Sequence, residues 1–187
     1  MSAIDDLGAG IQRLAAAVRA VADDPGQQLQ LLAGLVALQP TDDGGEGSTG
    51  AAAASMGAAV AAHCRRAALT AMARAAAQAT PASYEDAVAI RDQLCGLLDA
   101  EILVAGDTGD DASCDAMRTL RAAVAEDLTR RAANLSRMRT VAVGAPLPAL
   151  VLAYRLYADL GRSDQLAAAA AATDLNFMPP RFQALER

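Results

Sequence analysis

Aliphatic residues recur at alternating intervals of three and four positions along the first 23 residues. The stripe comprises Ile4, Leu7, Ile11, Leu14, Val18 and Val21. This spacing is typical of the a/d seam of paired helices, so it predicts a helix that packs on a partner, which is either a neighbouring subunit or the rest of the same chain. Pro25 ends the helix and a second short apolar helix follows it. We therefore interpret residues 1–40 as an N-terminal helical arm with a possible coiled-coil seam.

The next segment is polar and rich in glycine. Residues 41–50 contain four glycines, whose ordering would cost much conformational entropy, so they predict a flexible linker. Apolar positions at helical spacing then predict long helices at about 51–79, 84–105 and 111–137. The turn before the last of these is short, which makes the last two helices antiparallel neighbours. Residues 51–138 are thus predicted to form a three-helix bundle.

The chain changes character near residue 139. A β-branched run, residues 140–143, predicts a strand, two apolar helices follow, and prolines favour an extended segment towards the end. Residues 139–187 therefore predict a small β-α-α-β module. Four of the five aromatic residues of the chain fall here. The expected core of the module is Val141, Leu152, Tyr154, Leu156, Tyr157, Phe177 and Phe182.

Composition supports a mainly α fold. Among 187 residues there are 49 alanines and no lysine, and hydrophobic residues make up 53% of the chain although aromatic residues make up only 3%. Alanine has the highest helix propensity, whereas strands favour the β-branched and aromatic residues that are scarce before the last fifth of the chain.

The net charge of −6 argues against a broad basic face that grips nucleic acid. The one basic stretch is the helix at 51–79, where Arg65, Arg66 and Arg74 occur without any acidic residue. These arginines are candidate contacts for DNA phosphates. The alternative is that they pair with acids of the neighbouring helical hairpin, such as Asp92, Asp99 or Glu126.

Residues that carry out catalysis are sparse. There is one histidine, and the three cysteines show no C-x-x-C spacing; no disulfide framework, no metal and no cofactor is therefore expected. A zinc site gathered from His63, Cys64, Cys95 and Cys114 has no supporting spacing. The acidic glycine-containing clusters near residues 42–46 and 107–111 lack the ligand register of a calcium loop. We expect a protein that is not an enzyme.

Membrane insertion is not expected either. No apolar run approaches the roughly 20 residues that a spanning helix needs, and the N-terminus begins with acids rather than with the basic stretch of a secretory signal.

Five segments together resemble a known family. They are Ser83-Tyr84-Glu85-Asp86-Ala87, Leu98-Asp99-Ala100-Glu101-Ile102, Ala105-Gly106-Asp107-Thr108-Gly109-Asp110-Asp111, Leu120-Arg121-Ala122-Ala123-Val124, and Leu147-Pro148-Ala149-Leu150-Val151-Leu152-Ala153-Tyr154-Arg155-Leu156-Tyr157. In order and spacing they resemble the C-terminal part of the DNA circularisation protein N of Mu-like phages. The resemblance covers roughly residues 52–182, and the last segment, with its paired tyrosines, is the most specific.

The resemblance implies a minor structural component of a phage tail, located between the tape measure and the baseplate hub and assembled in the bacterial cytoplasm. Its partners would be other tail and baseplate proteins and further copies of the chain. By name the family also implies an alternative role at DNA ends after injection. The C-terminal module is similar to a LysM module, which would serve in assembly here. A host-directed adaptor built on a helical bundle is a third hypothesis that the sequence does not separate from the first.

Overall fold

Helices account for most of the computed structural model, which describes residues 3–37 and 48–186, with side chains placed at 6–37 and 49–186. The elements in chain order are α1 (Ala3–Ala20), α2 (Pro25–Val36), α3 (Ser48–Gln78), α4 (Tyr84–Asp107), α5 (Asp111–Ala132), β1 (Met138–Ala142), α6 (Ala149–Tyr157), a 3₁₀ turn (Leu160–Arg162), α7 (Ser163–Ala169) and β2 (Arg181–Leu185). The prediction of a mainly α fold is confirmed.

Polar side chains fix the starts of three helices. Asp24 precedes α2 and accepts a hydrogen bond from the backbone N–H of Gln27 at 2.9 Å. The Ser83 hydroxyl accepts from Asp86 N at 3.1 Å before α4, and a carboxylate oxygen of Asp110 accepts from Ser113 N at 3.2 Å before α5. Each cap satisfies a backbone donor that the first helical turn leaves without a partner.

The chain divides into two compact units. Unit 1 consists of the described residues within Met1–Thr80 and Ala89–Thr129. Unit 2 consists of those within Pro81–Val88 and Arg130–Arg187. Unit 1 therefore contains α1 to α3 with most of α4 and α5. Unit 2 contains the first turn of α4, the end of α5 and all later elements.

Unit 1 has one buried core to which all five helices contribute. Small side chains let α1, α2 and α3 approach closely, so that Cα atoms of these helices come within 8 Å of one another. Larger side chains of α4 and α5 fill the rest of the core. Its fully buried members include Ala15, Leu29, Leu32, Ala67, Leu69, Met72, Ala75, Leu94, Leu98 and Leu128.

Two sequence predictions about this region need correction. The arm at 1–40 is not a body apart from the helices at 51–138, because Ile11, Ala15, Leu29 and Leu32 lie in the same buried cluster as α3 to α5. The third long helix ends at Ala132 rather than at residue 137, because turn hydrogen bonds follow and β1 begins at Met138. Residues 38–47 lie outside the described residues. They include positions 41–47 of the predicted linker, and helix α3 already covers its last three residues, 48–50.

Unit 2 is organised around a two-stranded antiparallel sheet. Strands β1 and β2 pair from Met138 opposite Leu185 to Ala142 opposite Arg181, and α6 and α7 lie between them in the chain, so the element order is β-α-α-β. The buried core contains Ala149, Leu152, Ala153, Tyr157, Leu166, Met178, Phe182 and Ala184, with Val141 and Leu156 packed against it.

Tyr154 and Phe177 do not belong to this core, contrary to the sequence prediction. Helix α6 turns Ala149, Leu152, Ala153 and Tyr157 inward, which leaves Tyr154 62% exposed. A tight turn closed by the Phe177 N–H on the Asp174 carbonyl brings Met178 into the core and leaves Phe177 70% exposed.

Candidate functional site

The most strongly charged site of unit 1 joins α3 to α4. Glu101 is only 3% exposed and receives two arginines: Arg65 Nε lies 2.9 Å from one carboxylate oxygen and Arg66 Nε lies 2.7 Å from the other. Burying a carboxylate is costly unless it is paired and hydrogen-bonded. Here both oxygens are occupied, so the charge of Glu101 is fully compensated.

Arg66 extends the same network to the start of α5. Its Nη1 donates to the Asp110 carboxylate at 2.6 Å and to the Ser113 hydroxyl at 2.7 Å. Burial alone would lower the pKa of Arg66, but the hydrogen bonds and charges of Glu101 and Asp110 outweigh it and raise that pKa. Hydrogen bonds from Ser113 and Arg66 lower the pKa of Asp110. Two arginines and two carboxylates thus neutralise one another.

This network bears on the predicted DNA contacts. Arg65 and Arg66 are both engaged by carboxylates, so a phosphate would have to compete with Glu101 for them. Arg74 is exposed but stands apart from the network. The proposed partners Asp92, Asp99 and Glu126 are not those used: Asp99 instead accepts from Arg121.

Sequence reasoning missed Glu101 as the partner. A signal was present, because Glu101 continues the apolar register of Leu94 and Leu98 at spacings of three and four. An acid on the inner face of α4 opposite two adjacent arginines of α3 indicates a buried ion pair.

The apolar seam of α1 is divided between two environments. Ile11 is buried and Val18 packs against the core cluster, whereas Leu7, Leu14 and Val21 are exposed. Ile4 lies in α1, but its side chain is outside the described residues. One edge of the seam, which contains Ile11 and Val18, is therefore buried within the chain. The other edge, which contains Leu7, Leu14 and Val21, faces solvent.

A groove of about 360 Å³ opens between α1 and α3 beside this seam. Its walls are apolar apart from the one histidine of the chain. They comprise Leu7, Gly8, Ile11, Met56, Ala59, Val60 and His63. Such a lining suits an apolar side chain better than a charged ligand.

The cysteines are dispersed and unpaired. Cys95 and Cys114 are buried, Cys64 is half-buried, and all three are free thiols. Burial raises the pKa of the Cys95 thiol, which makes it less reactive. Within residues 3–37 and 48–186, no group of three His, Cys, Asp or Glu side chains is arranged to hold a metal ion.

Unit 2 presents an apolar surface at the start of α6. Backbone hydrogen bonds from Ala149 N to the Leu175 carbonyl at 2.7 Å and from Met178 N to the Leu147 carbonyl at 3.1 Å hold the 175–178 segment against this helix. The exposed side chains of the two segments are Leu150, Val151, Tyr154, Leu175 and Phe177. We call these five residues the α6 surface. Exposed patches of several large apolar residues usually mark contacts with another protein or a ligand.

No known protein family matches the chain, and no curated protein matches it either. Among the helices in the described part of the chain, none has both the length and the hydropathy to cross a membrane.

Proposed function

We propose that this protein is a non-enzymatic structural component of a phage or prophage tail, near the tape measure and the baseplate hub, that acts by packing on neighbouring subunits. It would be found in the virion. The α6 surface carries the proposal, because five large apolar side chains on a small unit have no cover within that unit.

Their chemistry favours a protein partner. Tyr154 and Phe177 offer large, rigid contact areas that lose little conformational entropy on binding. On α6 the nearest charge is Arg155, a residue type that is itself enriched in protein interfaces.

The finer architecture belongs to the same proposal. We infer that α3, α4 and α5 act as a three-helix bundle and that unit 2 is a LysM-like module used for assembly. The antiparallel contacts of α4 with α5, from Arg91 to Thr129 and from Cys114 to Ile102, support the first statement. The β-α-α-β order and the antiparallel pairing of the two strands support the second.

Complementation of a phage that lacks the gene tests the function. The variant carries Tyr154→Ser and Phe177→Ser, and its matched control carries Thr173→Ser and Gln165→Ser, two exposed polar changes in the same unit. We expect the control to restore infectious particles and the variant to give few particles although it folds. Full rescue by the folded variant would overturn the proposed use of the α6 surface. Normal particles without the gene would overturn the proposed function itself.

A further inference from the structure

The outer side of α1 carries an apolar stripe of its own, in which large and small residues alternate. Leu7, Gly10, Leu14 and Ala17 lie on α1 within an arc of roughly 80°. Val21 continues the same spacing of three and four in the turn that directly follows the helix. Leu7, Leu14 and Val21 are 51%, 49% and 77% exposed. We call these five residues the outer stripe. It includes the exposed edge of the predicted seam but not its buried edge.

We propose that the outer stripe pairs with the same stripe of a second copy, in an antiparallel dimer. In the register that sets Leu14 against Gly10 of the second copy, Leu7 also meets Ala17 of that copy. Leu7 and Leu14 then each face a small residue, and the two-fold axis repeats both contacts. A hydrogen atom as side chain at Gly10 provides the hole that Leu14 fills.

Shape favours the antiparallel direction over the parallel one. In a parallel pair in register, Leu14 would meet Leu14 and Gly10 would meet Gly10, so that large residues would crowd one another and small ones would leave gaps. Arg13 does not obstruct the antiparallel contact, because its Nε donates to the Ala9 carbonyl at 3.3 Å and its side chain therefore lies along its own helix.

The available area sets the strength of the dimer. Helix α1 has 18 residues. Its outer residues Leu7 and Leu14, together with Val21 in the turn that follows, expose roughly 300 Å² per copy. With the flanking alanines and the neighbouring Met56, the contact buries on the order of 1,000 Å² in total, which is the lower limit for a specific interface. The dimer is therefore reversible at micromolar concentrations and, because the contact is apolar, it persists at high salt.

This dimer would serve the assembly role proposed above, by naming a second copy as one partner, but its evidence lies entirely in unit 1. A negative result for the dimer can be distinguished from a negative result for the tail function, because the two are tested on different samples. The dimer is tested on the purified full chain, and the tail function on phage particles.

The test uses glycine substitutions that the folded chain accepts. A Cβ atom added at Gly10 meets no atom within 4 Å, and the same holds at Gly96 on α4. Neither Gly10→Leu nor Gly96→Leu therefore introduces a clash at its first side-chain atom, and both improve helix propensity. Light-scattering mass is measured over a concentration series for the wild type and both variants. We expect twice the chain mass for wild type and Gly96→Leu, and a dissociation constant raised about tenfold or more for Gly10→Leu.

A second variant tests the register. Adding Leu14→Ala to Gly10→Leu exchanges the large and small positions, so we expect it to recover most of the lost affinity. A wild type that stays monomeric at every concentration would overturn the dimer. Equal dimerisation of wild type and Gly10→Leu would overturn the outer stripe as its interface, and an equal loss with Gly96→Leu would do the same.

Discussion

Arg66 and Glu101 form an ion pair across α3 and α4, with Arg66 Nε 2.7 Å from a carboxylate that is only 3% exposed. Glu101 holds Arg65 with its other oxygen, and Arg66 reaches Asp110 as well. Three helices of unit 1 therefore meet at one guanidinium group. This relationship gives the arginines a structural role that can be measured.

Removal of Arg66 should destabilise the protein strongly. Arg66→Ala leaves Glu101 with one partner in a buried position, so we expect the free energy of unfolding to fall by about 3–5 kcal/mol. Arg74→Ala, the same change at an exposed position of the same helix, should stay within about 0.5 kcal/mol of wild type. Urea unfolding measures both. Equal, small effects would show that the network does not hold α3 to α4.

Acid should weaken the same network through Asp110. Its pKa is lowered in the folded state by Ser113 and Arg66, so its contribution to stability is present above the ordinary aspartate pKa and is lost as the pH falls through the lowered value. Asp110→Asn removes this contribution. In unfolding curves taken from neutral to acid pH, the wild type should lose stability more steeply than Asp110→Asn. Parallel curves would contradict the assignment.

A single glycine should stabilise unit 2. Ala158 closes α6 with φ 56° and ψ 29°, in the left-handed region that glycine enters without strain. We expect Ala158→Gly to raise the free energy of unfolding by about 0.5–1 kcal/mol, the relief of strain exceeding the added entropy of the unfolded chain. Ala170 closes α7 at φ −82°, so Ala170→Gly is the matched control and should destabilise. Thermal unfolding measures the stability of both variants. If both are less stable than wild type, the backbone at Ala158 is not strained.

The two faces of α6 should respond differently to substitution. Leu152 is buried, so Leu152→Ala should cost about 2–5 kcal/mol. Tyr154→Ser should cost less than about 1 kcal/mol because the ring is mostly exposed. Chemical unfolding of both variants checks this. A large fall in the free energy of unfolding with Tyr154→Ser would show that Tyr154 belongs to the core, as the sequence predicts.

Helical periodicity was enough to predict the long helices, and a β-branched run with later prolines predicted the β-α-α-β order. Periodicity did not fix the end of α5, which lies at Ala132 rather than at residue 137. It was not enough to place Tyr154 or Phe177, since a side chain on the margin of a helix or in a turn is turned inward or outward by backbone geometry that composition does not encode. The seam of α1 shows the same limit. Spacing identified its residues, but only the packing of α2 and α3 decided that Ile11 would be buried and Leu14 exposed.

The arginine cluster was half predictable. Three arginines without an acid on one helix indicate that partners lie elsewhere, but Glu101 was found only when α4 was placed beside α3. Which side chains of two helices pair depends on the axial register of one helix against the other. A single sequence does not determine that register.

Quantitative mass spectrometry of purified tails is the decisive measurement for the proposed tail function. Trypsin cleaves this chain only after arginine, because the chain has no lysine, so arginine-terminated peptides are quantified against a known tail subunit. We expect a constant, integral copy number per tail that survives high-salt washing. Absence from purified tails, or a variable trace that washing removes, would contradict it.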